Sequence, residues 1–205
     1  MDDKKASAPQ RSDALRNRRR ILEVALAELT RSDQVPLSAI ARKAGVGQGT
    51  FYRNFPSREA LVLEVYRYEA QQVAESADQL LATREPDRAL REWMDRLARF
   101  AAAKAGLADA IRQATSGAGE VKEQGYAAMT AAAERLLRAC EEAGAVRPGL
   151  TAEDFFLLIA GLWQLAGQEN AQPQLTRLLD LIMDGLRAGA AAGGTAPSAP
   201  AAPAS

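Results

Sequence analysis

The stretch from Pro36 to Leu61, PLSAIARKAGVGQGTFYRNFPSREAL, decides the fold of this chain. Its apolar spacing predicts a short helix over 37–44 that ends at Gly45, and a second helix that starts near Gln48. Two short helices joined by a turn that contains glycine are typical of a helix-turn-helix. The side chains expected to lock the two helices together are Ile40, Ala41, Val46, Phe51 and Phe55.

The second helix of this pair has two different faces. Phe51 and Phe55 lie four residues apart and therefore share the inner face. The polar residues left to point elsewhere are Gln48, Thr50, Tyr52 and Arg53. An amide can read adenine, a hydroxyl or a phenol can bond phosphate, and a guanidinium can bind guanine or phosphate. Gly49 has no Cβ and permits close approach of its backbone. The pattern predicts a helix presented to a DNA duplex; the alternative is a structural hairpin without that role.

The remainder of the chain is also predicted to be helical, with about nine helices and no alternating strand. Three short helices are expected over 11–55, a longer connecting helix over 57–82, and a bundle behind it. Thr151 to Asp154 fits a capping box, and Pro173 suits the first turn of a helix. Residues 1–10 and 189–205 are short of large apolar side chains, so both are expected to be disordered tails.

Composition excludes several kinds of chemistry. The formal net charge is zero, yet residues 1–68 hold 13 basic and 8 acidic side chains, and residues 69–205 hold 13 and 18. This asymmetry favours an anionic partner for the front of the chain. The absence of histidine excludes catalytic triads and zinc–histidine sites, and the single Cys140 reads as a core residue. We expect no cofactor, no membrane span and a cytoplasmic protein.

Four segments resemble the tetracycline-repressor (TetR) family of bacterial transcriptional regulators. They are ILEVALAEL at 21–29, IARKAGV at 40–46, GTFYRNF at 49–55 and PSREAL at 56–61. The resemblance implies that Thr50, Tyr52 and Arg53 contact DNA, with Gln48 and Gly49 against base edges or the DNA backbone. It also implies a phosphate contact for Arg58 and a flanking contact for Lys43.

The chain departs from the family pattern at the start of the second helix. Where family members commonly carry a threonine, this chain has Pro36 or Leu37, so one phosphate contact is weaker or comes from Ser38. A basic cluster in the first helix and the leading segment could compensate as an arm along the DNA backbone. Its members are Lys4, Lys5, Arg11, Arg16, Arg18, Arg19 and Arg20. The other interpretation of this cluster is a solvated helix face.

The rear half is predicted to hold a dimer interface and a ligand pocket. The segment 155–163, FFLLIAGLW, is apolar almost all round, and the striped helix after it would leave a face for a second copy to bury. The candidate interface residues are Leu158, Leu162, Leu175, Leu179, Ile182 and Leu186. By the resemblance, the same domain binds an effector, for which the candidates are Trp93, Leu97, Phe100, Tyr126, Met129, Trp163 and Gln164. The alternative is that these residues are core and that this chain covers its own apolar face.

We therefore expect an all-α protein with a helix-turn-helix domain over 11–56 and a regulatory and dimerisation domain over 57–188. The resemblance implies a homodimeric repressor that a small apolar or amphipathic effector releases from a palindromic operator. One alternative is a helical adaptor or ligand-binding protein that has lost DNA binding. The other is an enzyme, which the sequence disfavours because no nucleophile elbow, phosphate loop or metal constellation is recognisable.

Overall fold

A computed structural model describes residues 8–32, 34–106, 119–165, 168 and 170–190, with side chains except at 8–12, 104–106, 119–124, 163 and 164. This part of the chain contains eight α-helices and one 3₁₀ helix. The α-helices are α1 (Ala8–Arg31), α2 (Leu37–Lys43), α3 (Gln48–Asn54), α4 (Arg58–Leu81), α5 (Pro86–Gly106), α6 (Gly119–Glu142), α7 (Ala152–Ala160) and α8 (Gln172–Arg187). The 3₁₀ helix is Gly161–Gln164 and follows α7 directly. The all-α prediction is confirmed.

The first helix differs from its prediction. It runs for 24 residues from Ala8 and is therefore not short. It also takes in the last three residues of the segment 1–10 that was expected to be disordered. The connecting helix over 57–82 was predicted closely, because α4 spans Arg58–Leu81. Residues 1–7 and 191–205, where most of both predicted tails fall, lie outside the described residues.

The helix ends follow the punctuation of the sequence. After α2, Gly45 adopts φ +67°, its N–H bonds Arg42 O at 3.0 Å, and the Val46 N–H bonds Ala41 O at 3.0 Å. This pair of bonds is a Schellman motif, which needs a left-handed residue and therefore favours glycine. At the start of α7, the Thr151 hydroxyl accepts from the Asp154 N–H at 3.1 Å, and the Asp154 carboxylate accepts from the Thr151 N–H at 3.3 Å. The predicted capping box is therefore present.

One continuous apolar core joins the front and the rear of the chain. Helix α4 lies at its centre, because α1, α5 and α6 all pack against it. The largest fully buried side chain among the described residues is Trp93 on α5, whose indole N–H donates to Val73 O on α4 at 2.9 Å. The predicted boundary between residues 56 and 57 is therefore not a break in the core.

Ion pairs fasten α8 to α5 at the rear. Arg187 lies 2.8 Å from the Asp87 carboxylate, and Arg91 lies 2.7 Å from the Asp180 carboxylate. The Arg187 guanidinium lowers the pKa of Asp87 by its hydrogen bond. None of the helices in the described ranges is long and apolar enough to cross a membrane.

Candidate nucleic-acid interface

The recognition surface is built on α3, which two phenyl rings hold in place. Phe51 and Phe55 are both 0% exposed, and their ring centroids lie 5.6 Å apart. Ile40 and Ala41 of α2 are equally buried. Because these four side chains are removed from water on the inner side, the polar residues of α3 must face outward. The predicted locking of α2 against α3 is confirmed in this geometry.

The outer face of α3 carries the side chains that the sequence placed there. Gln48, Thr50 and Arg53 are exposed, and Tyr52 is 41% exposed. The Tyr52 ring meets the buried Phe51 ring edge to face, with centroids 5.6 Å apart, which supports the phenol from below. The Arg53 guanidinium donates to the Thr50 hydroxyl at 3.2 Å, so the two side chains share one turn of the helix. These groups form a polar, cationic surface suited to a groove of DNA.

Gly49 leaves an opening in the middle of this surface. It lies within α3 without a positive φ, and a Cβ built at this position would meet no atom within 4 Å. Neither backbone conformation nor internal packing therefore calls for glycine here. A glycine inside a helix costs up to about 1 kcal/mol relative to alanine, and Gly49 lies in the first turn of α3. A partner whose backbone or bases approach α3 closely would explain that cost.

Two cations at the end of α2 flank the recognition helix. Lys43 is exposed, but its ammonium lies 2.6 Å from the Glu28 carboxylate of α1, and this hydrogen bond lowers the pKa of Glu28. Arg42 beside it is exposed and forms no ion pair within the described part of the chain. The sequence analysis did not single out Arg42, although its position next to Lys43 in the last turn of α2 was a visible signal.

Two other predicted contacts are placed differently from expectation. The Arg58 guanidinium is half-buried and donates to Val35 O in the segment before α2. It braces the start of α4 against that segment, and its phosphate contact stays a prediction. Ser38 is half-buried in the first turn of α2, where Pro36 is the N-cap and supplies no side-chain hydrogen bond.

Four members of the basic cluster are described, and each of them contacts another residue of its own chain; the side chains of Lys4, Lys5 and Arg11 lie outside those described. Arg20 donates through Nε to Ala44 O at 2.7 Å, which places a cation at the carboxyl end of α2. Arg18 pairs with Glu64 of α4, and its guanidinium carbon lies 5.1 Å from the centroid of the Phe55 ring. Arg19 pairs with Glu23 at 2.8 Å, and Arg16 pairs with Asp13. Arg18 and Arg20 therefore contact the carboxyl ends of α3 and α2.

Family models match both parts of the chain. Residues 21–65 match the model described as bacterial regulatory proteins of the tetR family, and residues 85–188 match the C-terminal domain of SbtR-like transcriptional regulators. The chain belongs to the TetR family. It is a DNA-binding transcriptional regulator, and the TetR DNA-binding model covers α2, α3 and the surface described above.

Solved structures agree with this assignment. The chain is 38% identical to the TetR transcriptional regulator SCO0520 of Streptomyces coelicolor, with 83% of this chain and 98% of that chain covered and a TM-score of 0.76. It is 35% identical to a TetR regulator of Mycobacterium vanbaalenii, with 86% and 98% covered and a TM-score of 0.72. FadR of Bacillus subtilis, solved with stearoyl-CoA, shares the fold at 18% identity, 83% and 97% coverage and a TM-score of 0.56. A search of curated proteins found no match.

The predicted ligand-binding residues of this TetR protein are mostly core. Trp93, Leu97, Phe100 and Met129 are each at most 4% exposed, whereas Tyr126 is 50% exposed on the surface of α6. Trp163 and Gln164 fall in the 3₁₀ helix, but their side chains lie outside those described. The aromatic spacing was therefore a signal of burial, and the buried Phe100 also lines an open groove beside α4. It did not distinguish core residues from residues that line a pocket.

A small internal cavity lies among the described side chains of the rear domain. A cavity of about 20 Å³ lies between α5, α7 and α8, where Leu97, Ile159 and Leu179 are among the side chains that line it. Such a volume holds about one water molecule. An effector of drug size needs a site of about 300–1,000 Å³, so this cavity by itself is too small to hold one.

The predicted interface residues divide into two groups. Leu175, Leu179 and Leu186 are at most 5% exposed because they pack into the core of their own chain. Leu158 is 50% exposed, while Leu162 and Ile182 are half-buried. The apolar stripe of α8 was predicted correctly, but it faces the core of its own chain. The exposed leucines that the prediction missed, Leu157 and Leu181, lie one residue away from positions that it included.

Proposed function

We propose that this TetR protein is a homodimeric repressor that binds a two-fold symmetric operator and leaves it when a small effector binds. The exposed apolar surface of α6–α8 is the observation that carries the dimer. Six large apolar side chains are exposed among the described residues, and four of them lie there: Tyr126, Leu157, Leu158 and Leu181. Contiguous apolar surface of this kind marks an interaction site.

The shape of this surface suits a second copy of the chain. A shallow apolar groove of about 380 Å³ runs between α7 and α8, with Leu158, Leu181 and Ile182 on its walls. A second groove of about 370 Å³ lies on the other side of α7, beside Tyr126 and Leu157. Helix α7 therefore offers leucines on both flanks. In a two-fold dimer the same patch serves both partners, so one apolar surface satisfies both copies.

A dimer also accounts for the use of a short recognition helix. Two copies of α3 held about 34–36 Å apart enter successive major grooves of one duplex. Linking two such contacts raises the overall affinity by about 10²–10⁴ over one contact. An effector that binds more tightly to an arrangement with another spacing shifts the protein away from the operator.

The dimer is tested by placing charges on its proposed surface. In the variant Leu158→Asp/Leu181→Asp, we expect sedimentation to show a monomer, because the charges oppose burial of this surface. The variant should still fold, since both side chains are exposed and the core of the chain does not need them. Fluorescence anisotropy with DNA from upstream of its own gene should show at least about a hundredfold loss of affinity. The same substitution at Leu15, which is 68% exposed on α1, is the sedimentation control and should leave the dimer intact.

Two results would reject this proposal. An intact Leu158→Asp/Leu181→Asp dimer would exclude the α7–α8 surface as the interface. Lack of binding to the upstream DNA by the unmodified protein would favour the reading as a helical ligand-binding protein. A reporter gene behind the bound fragment separates repression from activation, since deletion of the regulator should raise expression from a repressed promoter.

A further inference from the structure

An open groove lies where α1, α4 and α5 meet, and we call it the α4–α5 groove. Its volume is about 450 Å³. Leu26 of α1, Val73 of α4 and Phe100 of α5 give it an apolar floor, and Gln72 lies on its wall. This volume falls within the range of about 300–1,000 Å³ that is typical of small-molecule sites. The groove is also separate from the small cavity between α5, α7 and α8.

Two cations that have no partner among the described side chains line the α4–α5 groove. Arg96 and Arg99 lie three residues apart on α5 and therefore point to the same side of that helix. Neither guanidinium forms a hydrogen bond or an ion pair with any residue whose side chain the structure describes, whereas Arg91 on the same helix pairs with both Asp95 and Asp180. Arg96 is half-buried, and none of the described carboxylates offsets the cost of removing its charge from water.

The other polar groups of the groove do not neutralise these cations. Glu69 is the acidic residue on its wall, and it makes no ion pair with either arginine. Burial, together with the nearby Glu23, raises the pKa of the Glu69 carboxyl, which favours its neutral form. The Ser76 hydroxyl already donates to Val73 O at 2.7 Å. The groove therefore combines an apolar floor with an excess of positive charge.

We propose that the α4–α5 groove binds a small organic carboxylate, whose anionic group pairs with Arg96 and Arg99 and whose apolar body lies on Leu26, Val73 and Phe100. Guanidinium groups bind carboxylates through charge-assisted hydrogen bonds. Cationic molecules are repelled by the two arginines, and neutral apolar molecules leave them unpaired. Because the floor includes a residue of α1, the ligand contacts both the DNA-binding head and the rear domain.

The regulatory meaning of this site rests on the proposed function, but binding itself is tested without DNA. Isothermal titration of the full-length protein with octanoate, octylammonium and octanol at equal ionic strength compares three head groups on one chain length. We expect octanoate to bind at least about tenfold more tightly than the other two, from charge-assisted hydrogen bonds alone. No octanoate binding at millimolar concentration, or equal binding of octanol, would overturn the proposal.

Variants locate the binding in the groove. Arg96→Gln/Arg99→Gln should weaken octanoate binding at least about tenfold, while Arg138→Gln, which removes an exposed guanidinium from α6, should leave it unchanged. Octanoate binding that survives the double substitution would place the ligand elsewhere and refute this site. Arg96→Glu/Arg99→Glu should reverse the preference toward octylammonium, which a merely damaged fold would not do. DNA affinity measured without ligand tests the proposed function separately.

Discussion

Gly49 offers a substitution that should move stability and DNA affinity in opposite directions. Its backbone has no positive φ, and an added Cβ meets nothing within 4 Å. Alanine is therefore accommodated without strain in the free protein. Gly49→Ala should raise the free energy of unfolding by about 0.5–1 kcal/mol, since alanine has the higher helix propensity. In a domain of this size that is a rise of about 1–4 °C in the melting temperature.

The same methyl group should weaken binding to DNA. If α3 lies in the major groove with Gly49 against the duplex, the added Cβ fills space that the DNA occupies. Overpacking of a close interface costs about 1–3 kcal/mol, which corresponds to about a fivefold to 150-fold loss of affinity. Anisotropy titration with the upstream DNA fragment measures this loss, and differential scanning calorimetry measures the stability.

An exchange of alanine and glycine at an exposed position elsewhere measures how much helix propensity contributes to stability. Ala127 is exposed on α6, away from the recognition surface, so Ala127→Gly should lower stability by about 1 kcal/mol and leave DNA affinity unchanged. A Gly49→Ala variant that is more stable and binds DNA as tightly as the original protein would refute the close approach of α3. A less stable variant would refute the reading of the free space around Gly49.

Three further predictions concern individual side chains. Arg53→Gln should weaken DNA binding and lower by about one the slope of log affinity against log salt concentration. Arg20→Gln should weaken binding without changing that slope, because Arg20 already binds Ala44 O. Equal changes in slope would contradict this difference between the two arginines. Glu28→Gln should free the Lys43 ammonium, so that Lys43→Gln then costs more DNA affinity than it does in the original protein. The test is a double-mutant cycle of the two substitutions, and additive losses of affinity would contradict a contact between the freed Lys43 and DNA. Burial raises the pKa of Cys140 to about 12, so the thiol is protonated at pH 8. It should react with a disulfide reagent only as the chain unfolds. Rapid reaction of the native protein would contradict this prediction.

Local spacing was sufficient to predict the recognition surface. The interval of four between Phe51 and Phe55 and the left-handed turn at Gly45 depend only on neighbours in sequence, and both appear in the structure as predicted. The orientation of arginines was not predictable in this way. Arg18 and Arg58 look alike as sequence, but their partners, Glu64 and Val35 O, lie 46 and 23 residues away.

The rear domain shows the same limit. Helical periodicity correctly marked Leu179 and Trp93 as residues on an apolar face. It does not reveal whether that face meets the chain's own core, a second copy or a ligand, because all three demand the same apolar side chains. Only the packing of α5 against α7 and α8 separates the buried Leu179 from Leu181, which is 66% exposed two positions later.

We expect DNA binding to depend most directly on the phenol of Tyr52 and the guanidinium of Arg53, which α3 presents. The measurement is an anisotropy titration of the upstream DNA with Tyr52→Ala/Arg53→Ala beside the original protein, after their melting temperatures have been compared. Both side chains are exposed, so we expect stability to change by only about 0.5 kcal/mol each. Affinity should fall at least about thirtyfold, from about 1 kcal/mol or more for each lost contact. An unchanged affinity in a folded variant would contradict the assignment of α3 as the surface that binds DNA.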